Sequence, residues 1–414
     1  MKTNYRIGII HLYGYGFPPE IRIEKQYPIF NKLGFTCVLL STFKKNTEKE
    51  HELYKDGFFI KRIHKKTKSI FQKLLGYFTL LSPEYESDIF DFIINENPNV
   101  LIVHDIFHLR SVLKIAKLFQ IPVIADLHEN MPAALVAYRA NYYFIRKIIT
   151  SILFNYKLWQ WHEAKMLKKC AYVFIVTKEA GERFNKYGLD MGKVVVVSNT
   201  EDITTFSYQL DKVNKGIVSK YQENFMISYI GNTGPHRGID TTIKSMKYIK
   251  DKIKNLKLVI VGLKGKERDI VFNWCIEENI LDFVDIIDWV PFEEVNSYII
   301  SSDLCLVPHN DFEHTHTTVP HKLFQYMICE RAVLVSDCKP LKRIVQNAGC
   351  GEVFKAGNSK DMAKQILNMY QNQELMKKFG KNGKLAALGI YSWKHDAKRL
   401  ESIMMKMSTT LKTK

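Results

Sequence analysis

The chain has no cysteine pair, no long apolar run and no common nucleotide-binding signature, and each absence narrows its class. Its seven cysteines (Cys37, Cys170, Cys275, Cys305, Cys329, Cys338, Cys350) never form C-x-x-C. Most lie in apolar runs, which fits reduced, buried thiols of a cytosolic protein better than a disulfide framework or a zinc site. No run of about 18 uncharged apolar residues occurs, which argues against a transmembrane helix. The N-terminus enters a strand-like stretch at Tyr5–His11 without the pattern of a signal peptide. No Asp-x-Asp is present to hold a divalent cation. These features predict a cytoplasmic protein.

What is present is size and positive charge. At 414 residues, two domains are expected, and 46% apolar and 12% aromatic residues suffice for two ordinary cores. The formal net charge is +17, and part of it is concentrated. From Gly57 to Pro83 there are Lys61, Arg62, Lys65, Lys66, Lys68 and Lys73 and no acid, and from Arg139 to Lys169 only Glu163 interrupts a basic stretch. Nucleic acid, an anionic membrane, a phosphorylated substrate and plain solvated faces all suit such patterns.

Short β-branched runs alternate with helix-like segments throughout. The first half predicts strands at Arg6–His11, Thr36–Ser41, Phe58–Ile63, Val100–His104, Pro122–Asp126, Tyr172–Val176 and Val194–Ser198, with helices over Leu109–Phe119 and Tyr142–Lys169. The second half predicts Met226–Ile230, Leu256–Val261, Val284–Ile287, Leu304–Val307, Ala332–Ser336 and Gly351–Phe354. Such alternation means parallel sheets covered on both faces. The polar stretch from Asn199 to Asn224 is the predicted linker. The domains are expected at 1–203 and 204–389, with 390–414 a terminal helix returning to the first. Two doubly wound sheets facing one another would leave a cleft at their strand C-terminal ends.

Two segments in the second half suit an anion. Gly231-Asn232-Thr233-Gly234-Pro235-His236-Arg237-Gly238 follows a strand and precedes a helix. Its three glycines permit positive φ and close approach, the helix start offers N–H groups, and Arg237 adds a bidentate cation. The loop is neither G-x-G-x-x-G nor a P-loop. In Thr317-Thr318-Val319-Pro320-His321-Lys322-Leu323-Phe324-Gln325, Lys322 can meet a phosphate and Gln325 a sugar hydroxyl. The plain alternatives are a structural glycine turn, and a surface lysine with a capping threonine.

The ordered set resembles a known family. Gly231…Arg237-Gly238, Val259-Ile260-Val261-Gly262, Trp289-Val290-Pro291 and Pro320-His321-Lys322-Leu323-Phe324-Gln325 follow the donor half of GT-B glycosyltransferases of family 4. In the first half, Val103-His104-Asp105, Asp126-Leu127-His128-Glu129, Glu163 and Ser198-Asn199 match as well. The resemblance implies an α/β GT-B fold of two facing Rossmann-like domains with a deep cleft, taking a nucleoside diphosphate sugar as donor and retaining anomeric configuration. It implies that Arg237 and Lys322 hold the diphosphate and that Gln325 meets the ribose. Gly231 and Gly262 would allow close approach, and the backbone at Val290 would meet the base. By the same resemblance, His128 would lie near the transferred sugar and Gly14, Tyr15 and Gly16 in a flexible loop, with His104, Asp105 and Glu129 on the acceptor side. Asn232, Gly238 and Thr318 complete the donor set; metal and cofactor are expected to be absent.

Three positions depart from the family pattern. Thr318 and Gln325 stand where it has paired glutamates, Asn232 where an arginine is frequent, and Glu330 where a glycine ends the helix. The expected reaction is glycosyl transfer to a hydroxyl of a glycan or lipid-linked acceptor, in surface polysaccharide or glycolipid assembly. Ser69–Leu81 and Tyr142–Trp161 mix aromatics with lysines. Such segments suit either the anionic inner face of the plasma membrane or two amphipathic core helices. A sugar-nucleotide epimerase and a non-catalytic donor binder would share the donor site. No nucleic-acid-binding motif is found.

Overall fold

The computed structural model describes residues 5–12, 17, 20–45, 47–140, 142–204, 206 and 212–412. The chain divides into two compact units, one of 1–198 with 396–414 and one of 199–395. The first boundary falls between Ser198 and Asn199, and the second lies inside the last helix, Trp393–Lys412.

Among the described residues unit 1 has eight strands: β1 (Arg6–His11), β2 (Thr36–Thr42), β3 (His51–Lys55), β4 (Phe58–Ile63), β5 (Val100–His104), β6 (Val123–Leu127), β7 (Tyr172–Ile175) and β8 (Val194–Val196). Their order is β3-β4-β2-β1-β5-β6-β7-β8. All pairs are parallel except β3 with β4. The central strands β5 and β6 are buried along their whole length, as a sheet covered by crossover helices requires. Ile102, Val103, Ile124, Phe174 and Val112 are fully excluded from solvent.

Two expectations need correction here. The strand β3 (HELYK) was not predicted: it alternates exposed and half-buried residues at the sheet edge, and its Glu and Lys content hides it. The expected single helix Tyr142–Lys169 is two, Phe144–Leu153 and Tyr156–Leu167. Asn155 breaks it by capping the second helix, its side chain accepting from the Leu158 N–H at 3.0 Å.

Unit 2 has a six-stranded parallel sheet: β9 (Phe225–Ile230), β10 (Leu256–Leu263), β11 (Val284–Asp288), β12 (Leu304–Val307), β13 (Ala332–Ser336) and β14 (Gly351–Phe354). Their order is β11-β10-β9-β12-β13-β14. The expected linker contains a helix of its own, Lys215–Tyr221. Strand order reverses between β1 and β5 in unit 1 and between β9 and β12 in unit 2. Ligands of open α/β sheets bind outside the strand ends at such reversals. The loops after β9 and β12 are therefore the place to look in unit 2.

Candidate active site

The two loops at the unit 2 reversal are locked together. Gly238 sits at φ 70°, and a Cβ there would lie 1.7 Å from the Pro308 carbonyl oxygen, so no side chain fits. The Asn310 amide donates to the Pro235 carbonyl at 2.9 Å, and the Asn310 N–H to the His236 carbonyl at 3.0 Å. Gly231 (φ 135°) and Gly262 (φ 104°) also use positive φ and lie against each other. Gly234 does not, at φ −51°, but a Cβ there would lie 2.8 Å from the His236 ring, so of the two expected properties it uses close approach alone. Asn232 is exposed, and its carbonyl accepts the Tyr229 hydroxyl at 2.7 Å.

Into this frame projects Lys322, from the first turn of the helix His321–Ile328. The residue as a whole is partly buried but its Nζ is closed off from solvent, so it is no surface lysine, and no side-chain cap holds the helix start. Its Nζ lies 3.0 Å from where a Gly231 Cβ would stand and 4.0 Å from the centre of the Tyr229 ring, and it has no hydrogen-bond partner among the described residues. Burial, with the Arg237 charge adding to it, holds its pKa well below the ordinary lysine range. Arg237 donates to His309 Nε2 at 3.4 Å, and its own Nε has no partner among the described residues. His309 and His236 are both kept neutral by burial first and by Arg237 second, His236 down to about 2. With His314, whose ring is 5.2 Å from that of His236, they form a buried imidazole layer beside the two cations. Neutral imidazoles can accept from a guanidinium without competing for an anion. The sequence alone does not mark His309 and His314, because histidines two and seven residues beyond a strand carry no pattern of their own.

Gln325, one turn along the helix, is buried and donates its amide to Glu201 Oε1 at 2.9 Å. His321 Nδ1 is 3.2 Å from the same oxygen. A carboxylate thus stands against the position where the family pattern has a glutamate, and it comes from the beginning of unit 2. Nothing in the polar stretch around Glu201 marked it. Thr318 is half-buried in the loop before the helix. Val290 is partly buried against the cluster that holds Val259 and Val261, and Trp289 beside it is 59% exposed with the Lys264 ammonium over its ring. Leu263, Lys264, Gly265, Arg268, Asp288 and Trp289 line an open groove of about 530 Å³ at the ends of β10 and β11.

Glu330 resolves the third departure. It follows the helix at φ 59°, the left-handed conformation that a glycine would adopt there, and its carboxylate pairs with Lys384 at 3.0 Å.

Unit 1 gathers histidines at its own reversal. His128, following β6, has its Nε2 2.7 Å from His104 Nδ1. Asp105, left-handed at φ 61°, accepts the His128 N–H through its carboxylate at 3.1 Å, and burial raises its pKa to about 6. Glu129 accepts the Tyr138 hydroxyl. The buried Asp126 is gripped by Arg22 at 2.6 and 2.8 Å and by Gln26 at 2.6 Å. Burial works to raise its pKa, but Arg22 outweighs that and holds the carboxyl well below the usual carboxylate range. His104, Asp126 and His128 bring ligand atoms within 4.8 Å of one another. A dication there would lie against the Arg22 guanidinium, so this donor set suits a shared proton better than a metal ion. Glu163 is a structural residue, paired through both oxygens with Arg183 in the core. The expected loop residues Gly14, Tyr15 and Gly16 lie outside the described residues.

Comparison with known proteins decides what these loops belong to. The glycosyl transferases group 1 family matches residues 212–386, and glycosyltransferase family 4 matches residues 30–204. The chain belongs to the GT-B glycosyltransferases of family 4. Among relatives of this glycosyltransferase, the uncharacterized glycosyltransferase MJ1178 of Methanocaldococcus jannaschii is 25% identical over 304 residues, covering 70% of this chain and 80% of MJ1178. Sucrose-phosphate synthase of Thermosynechococcus elongatus superposes with a TM-score of 0.78 at 13% identity, over 98% of this chain and all of that one (100%). Anabaena Alr3699/HepE, solved in complex with UDP-glucose, gives 0.69 at 11% identity over 97% and 99% of the two chains. Both expectations, a GT-B fold and a glycosyltransferase, therefore hold.

Proposed function

We propose that this glycosyltransferase takes a nucleoside diphosphate sugar in unit 2 and transfers the sugar to a hydroxyl with retention of configuration. The observation that carries the donor half is Lys322. An ammonium closed off from solvent and without a hydrogen-bond partner among the described residues, beside Arg237 at the strand-order reversal, is costly unless an anion joins it. A diphosphate bridging Lys322 and Arg237 supplies that anion. The exposed Trp289 and the groove beside it suit the nucleoside, and HepE, with UDP-glucose bound, makes uridine the first base to test.

In the proposed step the bond from the anomeric carbon to the diphosphate oxygen breaks, and its electron pair stays on the phosphate. Lys322 and Arg237 stabilise that charge as it develops. The acceptor oxygen bonds to the anomeric carbon from the face the phosphate leaves, and its proton passes to the departing phosphate oxygen. No metal or cofactor enters this scheme. Glu201 is a positioning residue, fixing the Gln325 amide so that the amide oxygen can meet a ribose hydroxyl. In unit 1 we assign the His104–His128 pair to the acceptor side, where it can relay a proton.

The acceptor we assign is a glycan or lipid-linked hydroxyl in surface polysaccharide or glycolipid assembly, with the enzyme peripheral on the cytoplasmic face of the membrane. The test is incubation with UDP-glucose and related sugar nucleotides with and without acceptor, followed by anomeric NMR of the product. Retained configuration supports the proposal. An inverted product, or interconversion of the sugar nucleotide alone, refutes it.

A further inference from the structure

The helices Ile70–Thr79 and Phe144–Leu153 share one peculiarity: neither buries a single residue. Both carry an apolar stripe of helical period. Ile70, Phe71, Leu74 and Phe78 recur at i, i+1, i+4 and i+8, as do Phe144, Ile145, Ile148 and Ile152. A stripe of this kind ordinarily faces a core, yet here it faces outward. Ile70 is 78% exposed, Phe144 77% and Ile152 63%. Helix formation is local and sound, since Ser69 and Gln72 close a capping box.

The two helices stand together on unit 1. Trp159 donates its indole N–H to the Tyr77 carbonyl at 2.8 Å, and the Tyr77 and Phe154 rings lie 4.4 Å apart. Phe78 from one helix and Phe144, Ile148 and Ile152 from the other border a single open groove of about 810 Å³. A chain in water rarely leaves so continuous an apolar face without a partner.

Charge says which partner. No acid occurs between Gly57 and Pro83 or between Tyr142 and His162. Lys66 and Lys68 are neutralised by Asp88 and Glu84. Lys65, Lys73, Lys147 and Lys157 are exposed and make no ion pair among the described residues. Apolar residues to enter the acyl boundary, with unpaired ammoniums among them and no carboxylate, complement an anionic lipid surface. A second copy of the chain would set these lysines against their own kind.

We propose that the paired helices Ile70–Thr79 and Phe144–Leu153 are a membrane-insertion face, which docks unit 1 on an anionic bilayer by burying Phe71, Phe144, Ile145 and Ile149. This deepens the proposed peripheral placement and rests on it, but not on donor binding.

The test is co-flotation of the full chain with phosphatidylcholine vesicles and with vesicles containing phosphatidylglycerol. The wild type is expected to float with the anionic vesicles, with binding reduced but not abolished by high salt. A Phe144→Trp variant should show a blue-shifted emission on binding. The double variant Ile145→Glu with Ile149→Glu should lose at least tenfold in vesicle binding. Its melting temperature, and its stabilisation by UDP-glucose, should be unchanged, since both side chains are exposed and lie in unit 1. Failure of the wild type to float with anionic vesicles at low salt overturns the assignment. So does a concentration-dependent dimer in sedimentation that the double variant abolishes, which would make the face a self-interface. A chain that floats without responding to UDP-glucose would overturn the donor reading and leave this one standing.

Discussion

The amide of Gln325 donates to the carboxylate of Glu201 at 2.9 Å, deep in unit 2. That bond explains why a glutamine stands where the family pattern has a glutamate. A carboxylate at 325 would face another carboxylate at hydrogen-bond distance, and two such groups cannot both ionise cheaply. Gln325→Glu should therefore raise one of the two pKa values in the folded state. A raised carboxylate pKa means the folded chain binds more protons than the unfolded chain. The stability of the variant should then fall as pH rises from the unfolded value through the folded one. Melting curves across pH 5 to 8, a window that lies above the unfolded glutamate value of about 4.3, should show the deficit against wild type widening toward pH 8.

Removing the other partner tests the same bond from its opposite end. Glu201→Ala strands the buried Gln325 amide, at a cost of about 1–3 kcal/mol by denaturant unfolding. Glu201→Gln, which keeps an acceptor, should recover most of it. If Glu201 positions Gln325 for the ribose, Glu201→Ala should also raise KM for the sugar nucleotide more than it lowers kcat.

The Arg22–Asp126 pair makes a prediction for unit 1. Its charges are almost completely buried, at 3% and 0% side-chain exposure. Arg22→Ala leaves that carboxylate unpaired and also removes the donor to the Val197 carbonyl at 2.8 Å. The expected loss is about 3–5 kcal/mol. Because Arg22 depresses the Asp126 pKa, the stabilisation is complete above the unfolded value of about 3.9 and is lost as pH falls through the lower folded value. Acid unfolding should therefore be shallower in Arg22→Ala, where that protonation no longer opposes a salt bridge.

Glu330 is the one departure that predicts a gain. Its left-handed backbone disfavours a side chain by about 1–2 kcal/mol. The Lys384 pair is half exposed and offsets about 0–1 kcal/mol of that. Glu330→Gly should consequently stabilise the protein slightly, by about 0.5 kcal/mol once glycine's entropy is counted. A loss of stability would show that the Lys384 bridge outweighs the strain.

Much of this architecture was legible beforehand, and what escaped has identifiable causes. β1, β5, β12 and β13 appear with the bounds their apolar runs predict, because strands buried on both faces announce themselves by continuous hydrophobicity, and the less buried β4 and β14 also keep their predicted bounds. β3 escaped because an antiparallel edge strand is selected by its neighbour β4 and not by its own composition. The Gly231–Gly238 loop, Arg237 and Lys322 were readable from order along the chain, yet the burial of Lys322 was not, since a lysine codon carries no trace of the Tyr229 ring that covers it. Glu201 and His309 reach the site through tertiary structure alone. The basic-aromatic segments were visible as amphipathic, but only the fold shows which way their apolar faces point.

The most direct test of the central claim is calorimetric titration of UDP-glucose, and of sugar nucleotides with other bases, into wild type, Arg237→Ala and Lys322→Ala. Because burial depresses the Lys322 pKa and a diphosphate would restore it, wild-type binding should take up a proton, and affinity should fall as pH rises above the depressed value. The account predicts at least tenfold weaker binding in each variant, with the proton uptake missing from Lys322→Ala. Wild-type affinity in both variants would contradict it.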